Sequence, residues 1–247
     1  MGIVKVDMSS AKHLLLTAFE LMLKGLGPQH WWPGESPFEV MVGAVLTQNT
    51  SWSNVERAIA NLKGAGVLSP VEMSSLPPEK LAKLIRPSGF YNLKEKRLRA
   101  LLSLLVGEFC GNIETMRAIP GHRLRPLLLG IPGIGPETAD SILLYALEKP
   151  FFVVDAYTKR ILERMGIMEE DAPYSHVQRL FMENLPASTE LYNEFHALLV
   201  VLGKELCKKN RPTCHNCPLS PLCSKGVERY PPLGYPDSHV TGEECET

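Results

Sequence analysis

Apolar residues recur every three to four positions through most of this chain, the spacing of helices that bury one face. The first such stretch covers residues 11–23, behind Ser9 and Ser10, either of which can cap a helix start. A second begins at Ser36-Pro37, with proline in the first helical position, and runs to residue 46. Further segments follow at 54–62, 78–85, 93–106, 123–129, 137–147, 157–165, 176–185 and 191–204. Gly64, Gly66, Pro77, Gly89, Gly111, Pro120 and Gly166 separate them. Only residues 151–154 look strand-like, and four residues make no sheet. The pattern predicts an all-α fold. From residue 230 the periodicity gives way to a polar, Pro/Gly-rich tail, 230–247, that reads as flexible.

Composition narrows this picture modestly. The 247 residues suffice for one or two domains with a proper core. Lys and Arg number 26 against 27 Asp and Glu, so the net charge of −1 gives no general attraction to nucleic acid. Any such surface must be local. No stretch approaches the ~20 apolar residues that span a bilayer, and the N-terminus lacks a basic start followed by an apolar run. The expectation is a cytoplasmic protein, monomeric and without a membrane partner.

The cysteines add chemistry. Cys207, Cys214, Cys217 and Cys223 fall within 17 residues, with six, two and five residues between them. Thiolates this dense in a cysteine-poor chain suit one soft metal centre better than disulfides. Zinc accepts four cysteines too, but its sites usually pair two CxxC knuckles, and here only Cys214-His215-Asn216-Cys217 is one. The spacing favours an iron–sulfur cluster, [4Fe–4S], over zinc. Cys110, in an apolar run, reads as a small buried hydrophobe, and Cys245 lies in the acidic tail.

Residues 131–140 read Ile-Pro-Gly-Ile-Gly-Pro-Glu-Thr-Ala-Asp. Gly133 and Gly135 make a tight turn between two helices, Ile131 and Ile134 face the core, and Pro136 opens the second helix. Free N–H groups at such a turn can hold a phosphate oxygen of any nucleic-acid backbone; the plainer reading is an αα-corner. Asp155 follows four apolar residues and precedes a helix, so it is a candidate carboxylate at the core's edge, or simply the N-cap of that helix. His196, on a largely apolar helix, reads as a core histidine. Lys204, Lys208, Lys209 and Arg211 lie around the cysteines and, with Lys159 and Arg160, offer local positive charge for phosphates or a solvated basic face.

Taken together, the hairpin, the aspartate 22 residues after Gly133 and the C-x6-C-x2-C-x5-C loop resemble the endonuclease III group of helix-hairpin-helix DNA glycosylases. The resemblance spans roughly residues 30–225 and implies two α-helical domains flanking a groove for double-stranded DNA. One is a six-helix barrel ending in the hairpin, 37–149. The other joins residues 1–36 to 150–229 and carries the [4Fe–4S] cluster. It further implies that Asp155 is the catalytic carboxylate and that the damaged nucleotide is flipped out of the duplex. Bifunctional members place a lysine in the hairpin helix as a Schiff-base nucleophile. The matching position here is Glu137, so a monofunctional enzyme is expected.

Three further strings resemble the 3-methyladenine glycosylase branch: Trp31-Trp32-Pro33, Leu46-Thr47-Gln48-Asn49-Thr50 and Gly89-Phe90-Tyr91-Asn92. That branch implies an aromatic pocket for an alkylated purine, here Trp31, Trp32 and Trp52, with Gln48 beside it. An alkylated purine is cationic, and electron-rich ring faces attract a flat cation; the plainer reading of these tryptophans is core packing. The branch generally lacks the cluster, so this chain combines features of both groups. Gln48 and Asn49 match a turn that fills the gap left by a flipped base, or serve as ordinary loop caps. The rival functions are a mismatch uracil or thymine glycosylase, a glycosylase with lyase activity, and a non-catalytic iron–sulfur DNA-binding protein.

Overall fold

The computed structural model describes residues 8–169 and 171–225; the 230–247 tail and Cys245 lie outside the described residues. Among the described residues every regular element is helical. The α-helices are α1 (Met8–Leu26), α2 (Pro37–Leu46), α3 (Trp52–Gly64), α4 (Pro70–Ser74), α5 (Pro78–Leu84), α6 (Tyr91–Phe109) and α7 (Ile113–Arg117). They continue as α8 (Gly121–Leu129), α9 (Pro136–Ser141), α10 (Ala156–Arg164), α11 (Tyr174–Asn184) and α12 (Thr189–Glu205). None is long and apolar enough to cross a membrane.

The chain's capping chemistry sets most boundaries. Ser36 Oγ accepts from Glu39 N at 3.2 Å to start α2, and Ser188 Oγ accepts from Leu191 N at 3.1 Å to start α12. α1 as described begins earlier than its apolar period predicts and already includes Ser9 and Ser10. α4 and α7 were invisible to the periodicity. Each has five residues, less than two turns, and each depends on a cap, Ser69 or Asn112. The helix expected over 137–147 is split: α9 gives way to a π-helical turn, Ile142–Ala146. Residues 151–154 run without strand pairing. Cys110 is not buried. It closes α6 at φ +51 and is exposed, because the polypeptide reverses there and its side chain turns outward.

Two cores result. The first is built from α2, α3, α6, α8 and α9 around Met41, Val45, Leu62, Leu98, Leu105, Leu128 and Ile142, all fully or almost fully buried. The second joins α1 to α10, α11 and α12 around Met22, Phe152, Phe181, Tyr192 and Phe195. Phe152 and Phe181 stack with ring centres 3.7 Å apart. Tyr145, on the π-helical turn, packs against both cores.

A buried polar group also ties the two together. Asp140 of α9, fully buried, accepts from Arg125 Nε and Nη2 at 2.7 and 3.0 Å, from Tyr174 Oη at 2.8 Å and from Gln178 Nε2 at 2.8 Å. Gln178 also donates to the Phe152 carbonyl. A carboxylate this deep survives only because each oxygen is paired. The result fixes α11 against the hairpin helix and ties the peptide at Phe152 to both.

Candidate active site

Asp155 is placed by what precedes it. Phe152, Val153 and Val154 are at most 2% exposed, so the peptide is anchored up to the aspartate. Its carboxylate then caps α10: Oδ1 accepts from Thr158 N at 2.7 Å and Thr158 Oγ1 at 2.9 Å. The cap engages only one of the two carboxylate oxygens. The other, Oδ2, lies 3.7 Å from His196 Nε2. Burial pushes the Asp155 pKa up, but the His196 ring and the two Thr158 donors more than offset it, holding the carboxyl below its ordinary value. The group is ionised at neutral pH.

His196 is buried, as an apolar helix implies, yet it is not a mere core filler. Its Nδ1 is hydrogen-bonded to Tyr145 Oη at 2.5 Å, which leaves Nε2 turned to Asp155. Sequence gave no sign of Tyr145, because a regular helix over 137–147 would aim it elsewhere. Burial and the charges of Asp155 and Glu194 push the Tyr145 pKa well up, so the phenol keeps its proton. Glu137 stands in the first turn of α9. Although the residue is exposed, crowding on its inner side and the Asp155 charge raise its pKa, with His196 opposing.

The three indoles converge. Ring centres are 5.7 Å apart for Trp31 and Trp32, 6.1 Å for Trp31 and Trp52, and 5.3 Å for Trp32 and Trp52. Trp32 also lies 5.2 Å from Tyr145, which carries the aromatic cluster to His196 and Asp155. Gly43 makes room for this: a Cβ there would stand 3.3 Å from the Trp32 ring. All three tryptophans are only partly buried. Trp31 Nε1 is a buried donor without a partner among the described residues. A cleft of about 180 Å³ opens beside Trp32 and Trp52, walled by Gly43, Glu39, Glu56 and Lys63.

The hairpin and the 47–50 turn are joined through Gln48. Its Nε2 donates to the Gly133 carbonyl at 3.1 Å and to Thr138 Oγ1 at 2.9 Å, while its Oε1 accepts from Arg97. Gly133 needs its missing side chain: φ is +85, and a Cβ would meet Arg97 at 2.6 Å. Gly133, Gly135 and Asn49 are exposed, whereas Gln48 has both ends of its amide in use. Lys94 was missed in the sequence. Buried to 1%, its Nζ donates to Leu46 O at 2.7 Å and Ser88 O at 2.6 Å, so the 47–50 turn and the Gly89-Phe90 turn sit side by side. Burial, with Arg97 nearby, lowers its pKa to about 8. Phe90 is the neighbour that protrudes: 69% exposed, at φ +47.

The four cysteines line one cavity of about 470 Å³ at the end of α12, together with Arg164, Leu206 and Ser220. Arg164 Nη1 lies 3.2 Å from Cys207 Sγ, a donor suited to a thiolate, and Cys223 Sγ is 3.2 Å from the Arg164 carbonyl. Burial pushes the Cys217 thiol up to about 11. Gly25 of α1 packs on this loop, where a Cβ would come 2.9 Å from Pro218. The four sulfurs are the donor set a soft metal centre takes, but among the described residues no group of three or more His, Cys, Asp or Glu side chains is gathered closely enough to hold a metal ion. The cations nearby are largely spent on backbone. Lys159 donates to Ala172 O, Arg160 to Cys207 O and Gly203 O, and Arg164 to Lys208 O and Lys209 O.

The pattern of the HhH-GPD superfamily of base excision DNA repair proteins matches residues 42–187, more than half of the chain. The chain belongs to that superfamily. This HhH-GPD protein is a DNA glycosylase of base excision repair. It is 48% identical over 212 residues to a Methanocaldococcus jannaschii protein named "Putative DNA repair glycosylase", covering 85% of this chain and 96% of that one. Thermotoga maritima endonuclease III is 29% identical over 187 residues, 76% of this chain and 82% of its own length. Among solved structures, Helicobacter pylori 3-methyladenine DNA glycosylase bound to 1,N6-ethenoadenine is 32% identical, with a TM-score of 0.68 over 79% of this chain and 97% of that chain. An endonuclease III trapped covalently on DNA is 26% identical, with a TM-score of 0.75 over 88% and 98%. These relatives bear out the helix-hairpin-helix glycosylase fold expected from the hairpin, Asp155 and the cysteine loop.

Proposed function

We propose that this glycosylase is monofunctional and removes alkylated purines, such as 3-methyladenine, from double-stranded DNA, with a [4Fe–4S] cluster as a structural element. One observation carries the substrate: three indoles in mutual contact, joined through Tyr145 and His196 to Asp155. The likeness to the H. pylori 3-methyladenine enzyme supports it.

On this reading each residue has a part. The hairpin at Gly133 and Gly135, with Asn49, meets backbone phosphates, and Phe90 enters the gap left by the flipped nucleotide. Lys159 and Arg160 lend positive potential beside the DNA while Lys159 ties α10 to the residue Ala172 ahead of α11 and Arg160 ties it to the end of α12. Gln48 orders the turn against the hairpin. The flipped base parts the indoles and stacks on them, and Trp31 Nε1 gains the acceptor it lacks. Alkylation makes that base cationic, so indole faces select it over a neutral one. The bond from C1′ to the base nitrogen breaks with its electron pair going to the base, which neutralises the cation and needs no acid. Asp155 Oδ2 faces the oxocarbenium-like sugar and offsets its charge. Water then adds to C1′, its proton passing to Asp155 and on to solvent. No lysine stands at position 137 to form a Schiff base. The cluster, when bound by Cys207, Cys214, Cys217 and Cys223, supplies cross-links in place of a larger core.

The test is release of 3-methyladenine, uracil and thymine from defined duplexes by the wild type and by Asp155→Asn. Asparagine caps a helix as well as aspartate does, so the variant should fold and bind duplex yet lose base release. Excision from G·U or G·T pairs with none from alkylated DNA would overturn the substrate. Equal inertness of both proteins on every lesion would favour a binding module.

A further inference from the structure

The π-helical turn puts Tyr145 where two systems meet. Its ring packs on Trp32, a wall of the indole cluster, and its hydroxyl is bonded to His196 Nδ1. Such turns shift side chains out of helical register and recur at functional sites. His196 is 6% exposed, and its Nε2 has no hydrogen-bond partner among the described residues. That nitrogen faces Asp155 Oδ2 at 3.7 Å, beyond hydrogen-bond reach by less than about 1 Å. Asp155 Oδ1 is meanwhile held by Thr158, so Oδ2 is the oxygen free to change partner.

We propose that Tyr145 and His196 are positioning residues that couple occupancy of the indole pocket to the setting of the Asp155 carboxylate. With Tyr145 Oη donating, the Nδ1 lone pair is occupied and the ring proton must sit on Nε2, facing Oδ2. In the protonated ring Nδ1 donates to Tyr145, and Nε2 again carries a hydrogen. Both states present a donor to the carboxylate. The indole centres lie 5.3–6.1 Å apart, closer than the ~7 Å that two faces stacked on an inserted base require at van der Waals contact. A base that enters therefore displaces an indole. Trp32 bears on Tyr145, Tyr145 on His196, and His196 on Oδ2. Other charges facing this set are Glu137 from α9 and Glu194 from α12. The coupling rests on the alkylpurine reading above.

Tyr145→Phe is the decisive variant, because it keeps the ring against Trp32 and removes only the hydroxyl. Excision is measured in single turnover on an alkylated-purine duplex, across pH, with the maximal rate and half-saturation separated. Expected is a fall in maximal rate of about ten-fold, half-saturation within about two-fold, and an acid limb moved to higher pH. The limb moves because a ring free to place its lone pair at Nε2 disfavours the Asp155 anion. His196→Gln, which keeps a donor toward Oδ2, should retain more activity than His196→Ala. A Tyr145→Phe enzyme with wild-type rate and acid limb overturns the coupling while leaving the function intact. So does a parallel loss of rate and affinity with the limb unmoved, the mark of a merely structural role. A wild type that releases no base from any duplex removes the functional reading, and the coupling with it.

Discussion

Both donors of Thr158, its peptide N–H and its hydroxyl, converge on a single oxygen of Asp155, at 2.7 and 2.9 Å. The consequence is asymmetry: Oδ1 is held by Thr158, while Oδ2 lies 3.7 Å from His196 Nε2. Thr158→Val keeps the shape and the peptide donor but removes the hydroxyl. A hydrogen bond to a charged group contributes about 1.5–3 kcal/mol, and Thr158 is fully buried, so the loss should fall in that range. The folded pKa of Asp155 is depressed. Its contribution to stability is therefore present above the unfolded value, about 3.9, and lost as pH falls through the folded value. Chemical denaturation of wild type and variant should differ most at neutral pH and converge in acid. An unchanging difference down to pH 2 would mean that the hydroxyl does not act through the carboxylate.

Phe90 carries strain without visible benefit to the fold. An L-residue in the left-handed region costs roughly 1–2 kcal/mol, and a 69% exposed ring recovers little of it by burial. Strain kept at an exposed aromatic beside the 47–50 turn is what a duplex-penetrating side chain requires. Phe90→Gly should therefore raise the melting temperature by a few degrees. It should also weaken lesion-duplex binding or excision by about ten- to a hundred-fold, the loss of one base-stacking contact. A more stable protein with undiminished DNA affinity would remove Phe90 from the interface.

How much of this was visible in the sequence follows from range. Features set by local chemistry were readable: Ser36-Pro37 as a helix start, Asp155 as a cap, Gly133 as a tight turn, and the four cysteines as close neighbours, which line one cavity. The missing parts depend on distant partners. Lys94 looks like any surface lysine until α6 brings it against Leu46 O and Ser88 O. Tyr145 reaches His196 across 51 residues, and only because a π-helical turn interrupts the expected helix. Lys159 and Arg160 read in the sequence as local positive charge for phosphates or as a solvated basic face, and neither reading contains their backbone partners. Carbonyls at the end of α12 and near α11, unpredictable locally, take up their donors.

Glu137 stands where bifunctional relatives are expected to carry lysine, and the charge of Asp155 is felt there. Glu137→Lys should place an amine near the sugar, with Asp155 ready to accept its proton. Borohydride reduction should then trap a covalent adduct of the variant on lesion DNA, and none of the wild type. A trapped wild type would contradict the monofunctional assignment. A variant that excises but never traps would place residue 137 out of reach of C1′.

Asp140 offers a test of the joint between the cores. Its carboxylate is fully buried and serves four donors from Arg125, Tyr174 and Gln178. Asp140→Asn turns one acceptor into a donor and leaves Arg125 without its counter-charge. Breaking a buried pair from one side costs about 3–5 kcal/mol, which for a chain of this size lowers the melting temperature by roughly 10 °C. Removing Arg125 as well, in Arg125→Met with Asp140→Asn, should recover part of that loss, since no uncompensated charge then remains. Strict additivity of the two single losses would show that the pair contributes nothing to the joint.

The cysteine cavity makes a prediction separable from the chemistry. Wild-type protein should contain iron and acid-labile sulfide in equal amounts, whereas a zinc site would contain neither. The loop from Cys207 to Cys223 has little core of its own: Leu219 is its one fully buried apolar side chain. Its order must come from the centre, as in small metal-dependent domains whose binding energy is folding energy. Cys217→Ser should lose the iron and open residues 207–225 to protease. The first core, from Phe38 to Leu147, touches none of the four cysteines and should keep its protection. Loss of protection throughout would mean that the cluster holds up the whole molecule, through Gly25 on Pro218 and the Arg160 and Arg164 bonds to the loop.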